Sequence, residues 1–483
     1  MKYSIVIPTR NRMELLNSLL ASLAKAISRA GIPSTQYEVI IVDGSDRPPR
    51  NEAYHFSHKP LIILHTRRHN AAAARNQGAR HARGKFVLFF DDDATVPLDY
   101  FKTLCKIDRS VNFDILGCNV LPQRNNPATI FFSLFLSYSR RIGMLHSVNL
   151  VIRRDFFSRH IFDEDRCYLP IEDCKYFIDI ANSGASIFHS KKLTVIHTRI
   201  SYYPLLIRLY RYLRSMKLIH KKSPDSFSRL LSNRIYELDD DQSLRERYRG
   251  VSTALKSSLL GMTLLFFLMF FARFPSSRLL YQLNLKSHMQ RILSYASGKN
   301  REEIPGWLFR NEAKMLARLA KTRSSGDILE IGHFCGKSTM VLAKYLRKGE
   351  KLHTIDDHSF DSDYNFYYYG QLCPKDSLSE FKKNLSISKF KSRIVAYYEK
   401  SANTLPYLTK SFSLVFIDGS HSYQDIALDV KLSSELLKPG GLLTMHDIND
   451  IWQGPHKVYQ ELICDPSFLF MGKTDSLAYF KKI

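Results

Sequence analysis

Three consecutive carboxylates, Asp91, Asp92 and Asp93, follow five apolar residues in the stretch KFVLFFDDDATVP. Adjacent carboxylates repel one another, so a strand that ends on three of them either leaves them solvated in a turn or brings a cation to them. Their hard oxygens suit Mg²⁺ or Mn²⁺. A second acidic pair, Glu172-Asp173, opens a helical stretch that stops at Gly184. Taken alone, that pair complements the positive end of a helix. Further along, Glu330, Gly332 and Gly336 form ExGxxxG between an apolar strand and a helical stretch. Glycines so spaced permit a tight turn without naming a ligand. About twenty residues later a strand ends on Asp356-Asp357, the spacing at which an acidic side chain meets a ribose in a Rossmann-like domain.

Such groups act together only if the chain delivers them to one place. YSIVIPTRNRMELLNSLLASLAKAI reads as a buried strand, a Pro-Thr-Arg-Asn turn and a helix with Leu15, Leu19, Leu20 and Leu23 on one face. YEVIIVDG is a strand ending on Asp43 and Gly44, HNAAAARNQGARHARG a helix, and KFVLFF the strand that delivers Asp91 to Asp93. Ligands of open α/β sheets bind beyond the carboxyl ends of the strands. Pro8 to Asn11, Asp43 and Asp91 to Asp93 therefore line one crevice. The C-terminal part alternates in the same way, with FSLVFIDGSHSYQDIALDV and LLKPGGLLTMHDIND adding two strands with acidic ends. The expected class is α/β, with two Rossmann-like domains.

A chain of 483 residues exceeds one ordinary core, and its 45% hydrophobic content is ample for two or three. Polar, breaker-rich stretches at KKSPDS, DDDQS and SGKNREEIPG divide it into residues 1–220, a basic helical connector 221–300, and residues 301–483. Seven scattered cysteines without a CxxC pair argue against a disulfide framework and a zinc site, and for a reducing compartment. A strand beginning almost at Met1 leaves no room for a secretory leader, so a cytoplasmic location is expected. The formal charge is +24, and residues 199–299 hold 18 Lys/Arg against 6 Asp/Glu, a net +12. The same segment contains SSLLGMTLLFFLMFFA, residues 257–272, sixteen residues without a charge. As a helix at ~1.5 Å per residue it would reach roughly 24 Å, short of a ~30 Å hydrocarbon core. It reads either as a helix lying in or dipping into an anionic leaflet, or as a core helix between domains.

The motifs SIVIPTRNR, EVIIVDGSD, ARNQGARHARGKFVLFFDDDA and YLPIEDCKYFIDIANSGASIFHSKKLTVIH together resemble glycosyltransferase family 2, with its GT-A fold, over roughly residues 1–200. The resemblance implies that Asp91 and Asp93 hold a divalent cation against the diphosphate of a nucleotide-sugar. Asp92, pointing to the other side of an extended chain, is then a solvated neighbour. The resemblance assigns Asp43 to the uracil or ribose side, with Pro8, Arg10, Arg75 and Asn76 nearby. It makes Asp173 the general base of an inverting transfer. His197, at the end of the next strand, stands where some relatives place a metal or diphosphate ligand; a structural histidine is the alternative. Many members carry two acidic residues before the Gly-Ser, whereas only Asp43 precedes Gly44-Ser45 here.

The series from Gly326 onward resembles a class I S-adenosylmethionine-dependent methyltransferase, and FIDGSHSY with PGGLLTMHD is similar to the small-molecule O-methyltransferases that act on sugars and other hydroxylated metabolites. The resemblance implies that Glu330, Gly332, Gly336, Ser338 and Asp356 hold the cofactor, with Ser401 near the adenine. Asp418 and Asp447 become paired carboxylates for a divalent ion that lowers the acceptor hydroxyl's pKa. His421 stands where metal-dependent relatives carry a lysine base, and His446 is its rival as base or as metal ligand. SFDSDYNFYYYGQLC, residues 359–373, reads as an aromatic lid over the methyl acceptor.

Taken together, these expectations describe a bifunctional enzyme at the inner face of the cell membrane, transferring a sugar to a glycan or lipid-linked saccharide and methylating a glycan hydroxyl, in cell-surface polysaccharide biosynthesis. An anionic membrane surface is an expected partner and nucleic acid is not. The competing readings are a membrane-associated scaffold without chemistry and an RNA-binding methyltransferase. The oligomeric state and the order of the two reactions stay open.

Overall fold

The computed structural model describes residues 1–58, 60–67, 70–122, 143–165, 172–197, 229, 232–239, 304–368, 371–449 and 452–483. Residues 257–272 lie outside them. The chain divides into two compact units, Met1–Asn300 with Tyr364–Leu372, and Arg301–Asp363 with Cys373–Ile483. Each is an α/β unit with its own sheet, the class expected from the alternation of strands and helices.

In the first unit β1 (Tyr3–Thr9), β2 (Tyr37–Asp43), β3 (Leu61–His65) and β4 (Phe86–Phe90) are parallel neighbours in the order β3-β2-β1-β4. β1 and β2 have apolar residues on both faces and are buried almost throughout, as central parallel strands require. β5 (Ala94–Thr95) pairs with β8 (Ile187–His197), and β6 (Ile115–Pro122) and β7 (Asn149–Arg153) carry the sheet from β8 back to β4. The helix Met13–Ala30 buries Leu16, Leu19, Leu20, Leu23 and Ile27 against one face, and ends on Gly31 in the left-handed conformation, φ 66°.

Two sequence expectations change here. β9 (Ile235–Glu237), inside the 221–300 connector, is a strand pairing with β8, so the first unit runs beyond residue 220. Most of the 359–373 stretch, expected as an aromatic lid, belongs instead to the first unit, which takes residues 364–372. Its β12 (Phe366–Tyr368) pairs antiparallel with β9 and, with β13 (Gln371–Cys373), extends the first unit's sheet. Phe366 is wholly buried, its ring 5.5 Å from that of Tyr236. Tyr364 and Phe366 pack in that sheet, whereas Phe360 stays in the second unit, its ring 5.8 Å from that of Trp307 and 5.9 Å from that of Phe334.

The second unit holds β10 (Asp327–Ile331), β11 (Leu352–Ile355), β14 (Ile394–Tyr397), β15 (Phe412–Ile417), β16 (Leu437–Met445), β17 (Phe468–Thr474) and β18 (Leu477–Lys482), in the order β14-β11-β10-β15-β16-β18-β17. The first five are parallel; β18 and β17 close the sheet antiparallel. The order reverses between β10 and β15, and such a switch point opens a crevice at the carboxyl ends.

Candidate active sites

In the first unit Thr9 lies opposite Asp43, and β4 runs parallel to β1, so Pro8 to Asn11, Asp43 and Asp91 to Asp93 reach one edge as expected. β5 then turns the chain so that Ala94 pairs with His197. That register places His197 Nε2 at 3.1 Å from Asp93 Oδ1. One donor atom each from Asp91, Asp93 and His197 lies within 4.8 Å of the others. Two hard oxygens and an imidazole fit Mn²⁺ or Mg²⁺.

Asp92 is not a solvated neighbour: it is 5% exposed, accepts a hydrogen bond from Thr9 Oγ1 at 2.8 Å and takes Arg12 Nη1 at 3.1 Å. Its pKa is pushed up to about 6, chiefly by burial. A three-carboxylate turn at the carboxyl end of a parallel sheet directs its middle side chain back toward β1, where Thr9 and Arg12 wait. Arg12 also reaches Asp93 Oδ2 at 3.4 Å. Nothing in sequence spacing distinguished Arg12 from its neighbour Arg10, which is exposed and paired with Asp46 at 3.1 Å.

Arg75 lies buried between the two acidic motifs. Its Nη2 donates to Asp91 Oδ1 at 2.8 Å and its Nη1 to Glu172 Oε1 at 3.0 Å. It therefore joins the strand-end aspartates to the helix Glu172–Asp179 through its two Nη groups. Burial raises the Glu172 pKa, helped by the Asp173 charge, and Arg75 offsets part of the rise. Burial alone would also raise Asp173, but His146, Arg75 and the Ser147 amide outweigh it and hold the group below its ordinary range. His146 Nδ1 stands 3.5 Å, and the Ser147 amide 3.2 Å, from Asp173 Oδ2. Asp173 is thus an ionised carboxylate able to accept a proton. Asn76, fully buried, binds the Phe162 backbone and Glu164, so it shapes the loop after the helix Arg154–Arg159. Asp43 accepts from the Ser45 amide at 2.7 Å and the Tyr54 hydroxyl at 2.5 Å.

In the second unit Gly332 follows β10 with φ 90°, and a Cβ there would stand 2.1 Å from the Asp418 carbonyl oxygen. Only glycine lets the ends of β10 and β15 approach this closely. Gly336, φ 94°, precedes the helix Lys337–Ala343, whose Ser338 is buried. Glu330 is fully buried and accepts from Thr339 and Thr354, each at 2.7 Å; burial pushes its pKa up to about 7. It braces the turn from beneath. Asp356 accepts from the His333 and Phe334 amides at 2.9 and 2.6 Å, and from the His358 amide at 2.8 Å. It shapes the same turn. Ser401 donates to Asp429.

Asp418, His446 and Asp447 meet at the ends of β15 and β16, each offering a donor atom within 4.8 Å of the others. With His421 they line a cavity of about 10 Å³, room for one water-sized occupant. His446 Nδ1 is 3.0 Å from Asp418 Oδ1, and its Nε2 is 3.1 Å from Glu312 Oε2. Burial opposes charging His446, but Asp418, Asp447 and Glu312 overcome it and raise its pKa well above normal. An ion held by Asp418 and Asp447 would displace that proton and gain Nδ1 as a third donor, with Glu312 fixing the other nitrogen. His421 Nε2 lies 2.8 Å from Asp447 Oδ2, and its ring stacks on Trp452 with centroids 4.0 Å apart. Both nitrogens of His446 face carboxylates, whereas His421 meets Asp447 through Nε2. Glu312 and Trp452 carried no signal in the sequence: Glu312 stands in a helix 134 residues before His446.

Residues 4–158 match the model of glycosyl transferase family 2, and residues 329–448 match that of a methyltransferase domain. An uncharacterized glycosyltransferase of Haemophilus influenzae is 32% identical over 114 residues, covering 23% of this chain and 37% of that protein. The poly(ribitol-phosphate) beta-N-acetylglucosaminyltransferase TarS of Staphylococcus aureus is 22% identical over 209 residues, covering 42% of this chain and 35% of that one. The chain thus spans little more than a third of the length of these relatives. Among solved structures, the mannosyltransferase PcManGT of Pyrobaculum calidifontis in complex with GDP-Man and Mn²⁺ aligns at a TM-score of 0.37 and 20% identity, over 62% of this chain and 86% of its own. The O-methyltransferase TomG of Streptomyces achromogenes in complex with SAM aligns at 0.29 and 18%, over 44% and 92%.

Proposed function

We propose that this chain, which carries a glycosyl transferase family 2 domain and a methyltransferase domain, transfers a sugar from a nucleotide-sugar to a glycan or lipid-linked saccharide and methylates a hydroxyl of the same glycan, at the inner face of a membrane, in the assembly of a surface polysaccharide. The observation that carries the reading is the continuous acidic line of the first unit: Asp91, Asp93 and His197 at one end, Arg75 in the middle, Glu172 and Asp173 at the other.

In the first unit Asp91, Asp93 and His197 would hold Mg²⁺ or Mn²⁺. When bound, the ion supplies positive charge against the departing nucleoside diphosphate. Asp173 takes the proton of the attacking hydroxyl, on the side opposite the leaving group, and the transfer inverts the anomeric carbon. Arg75 keeps Glu172 and Asp91 at fixed spacing while this happens.

In the second unit the glycine turn of Gly332 and Gly336, braced by Glu330 and Asp356, would hold S-adenosylmethionine, which supplies the methyl group. His421, oriented by Asp447 and Trp452, removes the acceptor's proton at Nδ1 as the oxygen attacks. Fusion of the two domains in one chain raises the local concentration of the first product near the second site.

The test is a pair of variants assayed for both reactions. Asp93→Ala abolishes nucleotide-sugar turnover and leaves methylation of a supplied acceptor intact; Asp418→Ala does the reverse. Loss of both activities in either variant would refute two independent sites. Mass spectrometry of the surface glycan from cells with and without the protein then identifies the product, and an unchanged pattern of O-methylated sugars would overturn the assigned role.

A further inference from the structure

The parallel strands of the second sheet sort charge onto opposite edges. β10, β11, β14, β15 and β16 run in one direction, so their carboxyl ends, with Asp356, Asp418 and Asp447, form one edge and their amino ends the other. The segments arriving at the amino edge are basic. Arg347, Lys348 and Lys351 precede β11, Lys391 precedes β14 and Lys410 precedes β15, while antiparallel β18 brings Lys481 opposite Leu442 in β16; all six are exposed. Their nearest carboxylates are largely committed. Glu350 is buried, paired with Arg323 and accepting from the Arg347 and Gly326 amides. Asp327 pairs with His353 and Lys410 at 3.6 and 3.5 Å. The acids further along this edge, exposed Glu435 and half-buried Asp465, stand before β16 and β17, away from the β11 and β14 side.

Two large apolar side chains protrude from the same incoming segments. Ile387, 79% exposed, lies four residues before Lys391, and Tyr407, 83% exposed, lies three before Lys410. Lysines around an isolated aliphatic residue and a tyrosine match the chemistry of a bilayer interface, where ammoniums reach phosphates while apolar side chains enter the headgroup boundary.

We propose that this amino edge docks the second unit on an anionic membrane surface. The proposal rests on the membrane partner named above and assigns a surface to it. A nucleic acid fits less well: base stacking asks for a row of aromatic platforms, whereas this edge offers Tyr407 alone among its protruding side chains, and an exposed isoleucine gains burial in lipid. The catalytic carboxylates then face away from the bilayer. The six residues of β15 span about 20 Å, so a membrane-tethered acceptor must extend that far to reach His421.

The test uses the full chain and vesicles of phosphatidylcholine with or without phosphatidylserine. Wild type is expected to sediment with the anionic vesicles and to release at 1 M salt, where the screening length falls to about 3 Å. Lys348→Gln, Lys351→Gln and Lys391→Gln combined should weaken partitioning about a hundredfold, from a factor of about five per lysine. Ile387→Asp should weaken it further. Neither variant should change either transfer reaction in solution or the unfolding midpoint. Wild-type binding that the variants retain would overturn this surface while leaving membrane association standing. Failure of wild type to bind anionic vesicles, or tight binding to RNA in its place, would overturn the membrane reading itself.

Discussion

Glu312 Oε2 stands 3.1 Å from His446 Nε2, and both side chains are buried. The other Glu312 oxygen accepts from the Ser476 amide at 2.8 Å and its hydroxyl at 2.6 Å. One carboxylate thus ties the helix Arg310–Thr322, the end of β16 and the turn before β18 to the methyl-transfer site. Glu312→Ala leaves His446 beside two carboxylates without its outer partner, and removing one member of a buried ion pair costs about 3–5 kcal/mol. Chemical denaturation should show that loss in the second unit, and methyl transfer should fall while sugar transfer continues. Unchanged methyl transfer would mean that Glu312 only supports the fold.

Arg75 offers a second test, because its fork geometry is the point. Nη1 and Nη2 serve Glu172 and Asp91 separately. Lysine keeps the charge but presents a single ammonium, which cannot hold two carboxylates at that spacing. Arg75→Lys should therefore keep much of the stability that Arg75→Ala loses, yet lower sugar transfer by at least about tenfold, the rate equivalent of ~1.4 kcal/mol of lost positioning. Equal transfer by Arg75→Lys and wild type would show that charge alone is needed.

His333 makes stability depend on pH. It is buried, stacks on Phe381 with centroids 3.8 Å apart, and its pKa is pushed down to about 4, first by burial and then by the nearby His358, against the pull of Asp356. The unfolded chain binds a proton at about pH 6.5, and the folded chain resists it until about 4. Stability is therefore full above pH 6.5 and is lost as pH falls toward 4, by at most about 3 kcal/mol. His333→Gln should flatten this slope between pH 7 and 4.5 in denaturant titrations. An equal slope in the variant would place the titrating group elsewhere.

Phe366 tests the assignment of residues 364–372 to the first unit. The ring is wholly buried against Tyr236, with the Arg234 guanidinium 5.4 Å from its centroid. Phe366→Ala should cost about 3–5 kcal/mol. Because a two-unit chain can unfold in separate steps, differential scanning calorimetry is the right measurement. The step that carries nucleotide-sugar turnover should move down. A shift confined to the methyltransferase step would contradict the sheet order.

Much of the site was legible because it sits where local pattern and sheet geometry coincide. Apolar strands ending on Asp43, Asp91 and Asp418 announced themselves by a break from apolar to acidic residues. Parallel pairing then gathers such ends on one edge whatever lies between them in sequence. Gly332 and Gly336 were legible for a similar reason, since a short strand-to-helix turn requires backbone angles that favour glycine. The roles of individual carboxylates were not legible. Asp91, Asp92 and Asp93 are identical in type, and only the turn before β5 decides that two face His197 while the middle one is buried against Thr9 and Arg12.

What the sequence determined by itself is therefore the pair of α/β units, the family likeness of each and the strand ends that carry chemistry, because strand period, turn residues and strand-end position are local properties. What only the tertiary structure decided is which partner each polar group meets. Arg75, Asn76, Glu330 and Asp356 were expected beside ligands, and the fold also gives each of them protein partners in the loops and strands that form the sites. Glu312 and His446, and β9 and β12, meet across 134 and about 130 residues of chain. A buried polar atom takes whichever partner the packed fold brings within hydrogen-bond reach, and distance in space is not written in distance along the chain.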